Sequence, residues 1–198
     1  GVMHIPDAYD DYKHASGRIV PGMNCYRAVC AHAAAHIMET TSAFKGDQLN
    51  PLQVACVSLI EDLRVELNTI KKFPGMKKLW IALHPEDEDL KDLNPFIIDL
   101  VDLSRLALDS KYKAKQSFNK DFLKLFNTEM KVSENSSDIS FELGLEYYEI
   151  IKSETDVKIS ASALVAAPIS YRDDNRYIWE YEDLDWVSEG NDYVPASQ

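Results

Sequence analysis

Two stretches constrain this chain most: NCYRAVCAHAAAHIMETTSAF (24–44) and PLQVACVSLIEDLRVELNTIKKF (51–73). Both read as long helices, and both set ionisable side chains inside an apolar pattern. A buried charge or imidazole has to be paired. A fold built around these helices must therefore bring partners to them. In the first stretch Asn24 is the expected N-cap. At about 100° per residue, Val29, His32, His36, Glu39 and Ala43 all fall within about 40° of Cys25. Cys25, His32, His36 and Glu39 thus form a polar stripe. Ala28, Ala31, Ala33, Ala34 and Ala35 favour the helix and leave room for a neighbour to come close.

In the second stretch Asn50-Pro51 supplies an N-cap and a proline at the first helical position. Leu52, Cys56, Leu59, Ile60, Leu63, Leu67 and Ile70 make one apolar stripe, and Val54, Val57 and Val65 make the opposite side apolar too. Such a helix is buried on more than one face. Glu66 sits at the edge of the stripe, with Asp62 one turn before it. Glu61 and Arg64 point elsewhere, where Arg64 can pair with Glu61 at i,i+3 or bridge to another helix.

The rest of the chain divides into an extended N-terminal arm (1–22), a helical domain (23–167) and an acidic, aromatic segment (168–198). His4 and His14 in the arm read as solvated. Met76–Leu83 is a helical turn or a buried extended piece. Helices are expected over Asn94–Tyr112, Ser117–Lys131 and Ile139–Lys152, and a helix or strand over Val157–Val165. The fold class is mainly α: five or six helices in a bundle-like domain, with two central antiparallel helices. Strand is expected to be short and confined to roughly the last forty residues.

Composition narrows the function. The chain has 198 residues, enough for one substantial core, with 33 Asp+Glu against 21 Lys+Arg, a net charge of −12. That balance argues against a nucleic-acid partner, which needs a basic footprint, and against an anionic membrane surface. No apolar run is long enough to span a bilayer. An odd count of three cysteines, all in the two helices, reads as buried free thiols in a reducing compartment, hence a cytoplasmic protein.

His32 and His36 stand at i and i+4, the spacing at which two imidazoles can share one metal ion. The second stretch offers Asp62 and Glu66 as further ligands. The same spacing occurs in the zincin motif HExxH, but the general-base glutamate would fall at Ala33, so zinc hydrolysis is poorly supported. The competing explanation is a hydrogen-bonded histidine–carboxylate cluster, which this pattern more often means. A divalent metal would be the cofactor at such a site, and none is required for the fold.

CAHAAAHI (30–37), NPLQVACVSLIEDLRVE (50–66), FPGMKKLWIALHP (73–85) and SYRDDNRYIWEYED (170–183) together resemble the region ahead of the von Willebrand factor A domain in NorD-type nitric oxide reductase activation proteins and the related CbbO. The resemblance spans roughly residues 25–185. It implies a non-enzymatic adaptor that works with a MoxR-type AAA+ ATPase to activate a target enzyme. It also implies that the adhesion-type domain lies beyond this chain. Tyr171, Arg172, Asp173, Asp174 and Trp179 are the candidate partner-contact residues. The resemblance supplies no catalytic residue.

Overall fold

Six α-helices follow one another among the described residues: α1 (Gly22–Glu39), α2 (Pro51–Lys72), α3 (Gly75–Ile81), α4 (Pro95–Leu108), α5 (Ser117–Ser133) and α6 (Asp138–Glu154). The computed structural model describes residues 5–133, 135–155, 169–172 and 175–181. The segment 157–165 lies outside them.

Helix α2 begins as its sequence dictates. Asn50 Oδ1 accepts the backbone N–H groups of Leu52 and Gln53, and the Gln53 side chain accepts the N–H of Asn50 in return. This reciprocal cap satisfies donors that a helix start otherwise leaves open. Asn94 caps α4 more simply, its Oδ1 accepting the N–H of Phe96, with Pro95 following it. Helix α4 stops at Leu108 rather than continuing to Tyr112, because Asp109 is extended and Tyr112 folds back to donate its hydroxyl to Asp102. Helix α1 starts at Gly22, two residues ahead of the expected cap, with Pro21 before it.

The core forms around α2. Cys56, Ile60 and Leu63 meet Phe96 and Leu103 of α4, Phe122 and Phe126 of α5, and Leu143 and Tyr147 of α6. Helix α6 lies closest, admitted by Gly144: a Cβ there would fall 2.5 Å from the Val57 Cα. Helix α1 packs one face on α2 and leaves Met23, Ile37 and Met38 exposed on the other. A second cluster, with Trp80, Leu83, Leu90 and Tyr171, joins α1 to α3 and α4.

Strand is indeed sparse, but it is not confined to the C-terminal segment. In the arm, β1 (Tyr12–Lys13) pairs antiparallel with β2 (Ile19–Val20) through a turn in which Gly17 has φ 86°. After α1, β3 (Phe44–Lys45) pairs in parallel with β4 (Trp179–Glu180). Two-residue strands carry too little alternation to show in a sequence. His14 is also not solvated. It is buried, with Nδ1 2.9 Å from Asp89 Oδ2 and Nε2 3.0 Å from the Ala82 carbonyl, and it anchors the arm to the turn after α3. His4 lies outside the described residues.

Replacing Gly144 with alanine forces its new methyl group into the α2 backbone. Gly144→Ala is expected to lower unfolding stability by about 1–3 kcal/mol, measured by urea denaturation.

Candidate metal centre

Antiparallel packing sets His32 of α1 opposite Glu66 of α2, and His36 opposite Asp62. His36 Nε2 lies 3.1 Å and His32 Nε2 3.6 Å from Asp62 Oδ1. His32 Nδ1 lies 3.1 Å from Glu66 Oε1. The two imidazoles meet edge to face, with centroids 4.7 Å apart. All four side chains are buried. His32, His36 and Asp62 each bring one donor atom into a group spanning no more than 4.8 Å. Donors on a tetrahedral zinc ion stand about 3.3 Å apart when each is about 2 Å from the metal. The two separations from Asp62 Oδ1, 3.1 and 3.6 Å, are of that size.

The surrounding hydrogen bonds decide what the imidazoles present. Glu61 is held by Arg64, whose Nε and Nη2 donate at 2.8 and 2.7 Å. A carboxylate so paired only accepts, so the Thr40 hydroxyl, 2.7 Å from Glu61 Oε1, donates to it. Thr40 Oγ1 can then only accept from His36 Nδ1, 3.0 Å away. With its hydrogen on Nδ1, a neutral His36 turns the bare lone pair of Nε2 toward Asp62 Oδ1. Either a second proton on Nε2, donated to Asp62 Oδ1, or a metal cation between the two atoms satisfies this contact. For His32, neither ring nitrogen makes an aligned hydrogen bond, although Glu66 is close to Nδ1. His32 is thus the imidazole left unsatisfied, and both Nε2 atoms converge on Asp62 Oδ1.

The segment after residue 168 closes the centre. Arg172 donates Nε and Nη2 to the two oxygens of Glu66 at 2.8 and 2.7 Å, and its Nε lies 3.5 Å from Asp62 Oδ2. Asn175 Nδ2 donates to Asp62 Oδ1 at 2.8 Å. The rings of Tyr171 and Tyr177 stand edge-on to His32 and His36. Burial alone would raise both carboxyl groups. Arg172 beside them, helped by the imidazoles, holds Asp62 below and Glu66 well below the usual carboxylate range. On the outer side of the centre His36 forms part of the wall of a 270 Å³ cleft with Thr40, Thr41, Tyr177 and Ile178.

The four residues expected from helical phasing thus meet. Glu61 and Arg64 pair with each other away from the centre, and Glu39 is bound to Lys72. Of the candidate partner-contact residues, Tyr171 and Trp179 are buried, with the Trp179 indole 3.2 Å from Ser58 Oγ, and Arg172 is engaged by Glu66. Aromatic side chains in an acidic stretch bury against helices whenever the chain folds back on them. Asp173 and Asp174 lie outside the described residues. Sequence reasoning missed Asn175, Tyr177 and His84, whose partners lie far along the chain.

Comparison of the chain with protein-family models, with curated proteins and with solved structures finds no match. No described helix is long and apolar enough to cross a membrane.

His84 adds a pH dependence. Its ring lies 5.7 Å from that of Tyr171, with Nδ1 near the Trp80 carbonyl and Nε2 near Ser104 Oγ. Burial, then Arg172, push its pKa down from 6.5 to about 4. The unfolded chain takes up the proton first, so this stability is present above pH 6.5 and is lost as the pH falls toward 4. His84 is expected to contribute a loss equivalent to about 3 kcal/mol between pH 7.5 and pH 4, opposed in part by Asp99, whose pKa burial raises to about 6, and His84→Gln to remove that loss from the urea midpoints.

Proposed function

We propose that this domain binds a divalent transition-metal ion through His32, His36 and Asp62. The carrying observation is the convergence of both imidazole Nε2 atoms on Asp62 Oδ1, with neither ring nitrogen of His32 otherwise satisfied. Two imidazoles and one carboxylate suit zinc, iron or cobalt better than magnesium or calcium, which prefer oxygen-only cages. Glu66, held by Arg172, orients His32 from behind, as carboxylates do for metal-bound histidines. Three protein ligands leave room for a further one.

The arrangement favours a non-hydrolytic role. Position 33 is alanine, Glu66 is tied to Arg172 and Glu61 to Arg64, so none of these positions offers an unengaged carboxylate to act as base. Free thiols at Cys25, Cys30 and Cys56 fit a reducing, cytoplasmic setting.

Elemental analysis of protein purified without a histidine tag tests the proposal. A stoichiometric transition metal is expected, lost in His36→Ala while the helical circular dichroism is retained. Metal-free protein that also takes up no zinc or cobalt on titration would sink the proposal.

A second observation supports the adaptor reading. Residues of the four segments that resemble NorD-type proteins meet at or beside this one centre: His32 and His36, Asp62 and Glu66, Trp80 and His84, and Tyr171, Arg172, Asn175 and Tyr177. On this reading the domain is a metal-bearing adaptor that works with a MoxR-type AAA+ ATPase on a client such as nitric oxide reductase. Pull-down of such an ATPase by the longer protein, with and without this region, tests it. Equal binding and equal client activation without the region would rule it out.

A further inference from the structure

Asn175 is the one non-glycine residue with positive φ among the described residues, at φ 55°. Glycine adopts that left-handed backbone freely, whereas any side chain pays some strain there, asparagine least among the larger residues. A side chain retained at such a position asks for a reason. Here the side chain is 2% exposed and runs straight into the centre, where Nδ2 meets Asp62 Oδ1 at 2.8 Å. That oxygen is the same atom on which both imidazole Nε2 atoms converge.

A carboxylate rotates easily about its last bond, because its preferences there are broad and two-fold. Something must choose which oxygen faces the histidines. Arg172 approaches Oδ2 at 3.5 Å, which leaves the choice loose. The amide of Asn175 donates to Oδ1 and fixes the group. It does so without a charge, so the negative charge of Asp62 stays available to a cation. A lysine or arginine in the same place would neutralise it.

We infer that Asn175 is a positioning residue of the metal centre: it aims Asp62 Oδ1 at the ion that His32 and His36 would share. This rests on the metal reading above. The side chain reaches the centre through Asp62, while its Oδ1 accepts from the Tyr177 hydroxyl at 3.5 Å. A residue of this kind typically alters metal affinity by about 10–100-fold.

The test uses the full chain, loaded with Co²⁺ for its visible ligand-field absorption and with Zn²⁺ against a chromogenic chelator for affinity. Wild type is compared with Asn175→Gly and Asn175→Ala. Both variants lack the amide. Glycine keeps the left-handed backbone unstrained, whereas alanine adds strain. Both are expected to bind Zn²⁺ about 10–100-fold more weakly and to shift the Co²⁺ spectrum to the same extent, although Asn175→Ala melts at a lower temperature than Asn175→Gly. Affinity then follows the amide and stability follows the backbone. Wild-type affinity and spectrum in Asn175→Gly would overturn the inference, as would a loss of affinity that tracks the melting temperature across the two variants. Failure of the wild type itself to take up Co²⁺ or Zn²⁺ overturns the metal centre on which the inference rests.

Discussion

Two carboxylates sunk into the longest helix set the terms for the rest of this fold. Asp62 and Glu66 are almost fully buried and remain ionised, so the chain has to supply positive charge or donors around them. Removing a partner from a buried charge is far more damaging than removing an exposed pair. Helix α1 meets the demand with two imidazoles, and the returning C-terminal segment meets it with Arg172 and Asn175. The packing of α1 on α2 and the docking of Arg172 and Asn175 are thus two answers to one electrostatic problem. Arg172 keeps its own proton firmly, because Glu66 and Asp62 outweigh the burial that would otherwise weaken it.

A second buried ion pair stands one step away and does a different job. Glu61 and Arg64 link α2 to the end of α1 through the Glu39 carbonyl, and to the start of α6 through Ser137. Thr40 hangs between the two polar groups: it donates to Glu61 and receives from His36. Through that hydroxyl the structural pair dictates the tautomer of the histidine in the other. The consequence is chemical as well as mechanical, since Nδ1 of His36 is committed to Thr40 and only Nε2 is left to face Asp62.

Much of this was legible in the sequence. The phasing of α1 placed His32 and His36 on one stripe, and that of α2 turned Asp62 and Glu66, not Glu61, toward them. The caps at Asn50 and Asn94 gave two helix starts, because a local hydrogen-bond pattern needs only local residues. The opaque parts were those that depend on distant partners. Arg172 and Asn175 lie more than a hundred residues beyond the carboxylates they serve, as the separations of 106 and 113 show. His14 resembled any surface histidine until Asp89 and the Ala82 carbonyl were brought to it. The strands escaped notice because two residues establish no period.

The ligand environment of a bound ion tests this account most directly. X-ray absorption at the metal edge of Zn²⁺- or Co²⁺-loaded protein reports the identity and number of first neighbours. The account predicts two imidazole nitrogens at about 2.0–2.1 Å and a carboxylate oxygen at about 2.0–2.2 Å, with any remaining neighbour a light atom. Sulfur neighbours at about 2.3 Å, or a shell of oxygens without imidazole scattering, would contradict it.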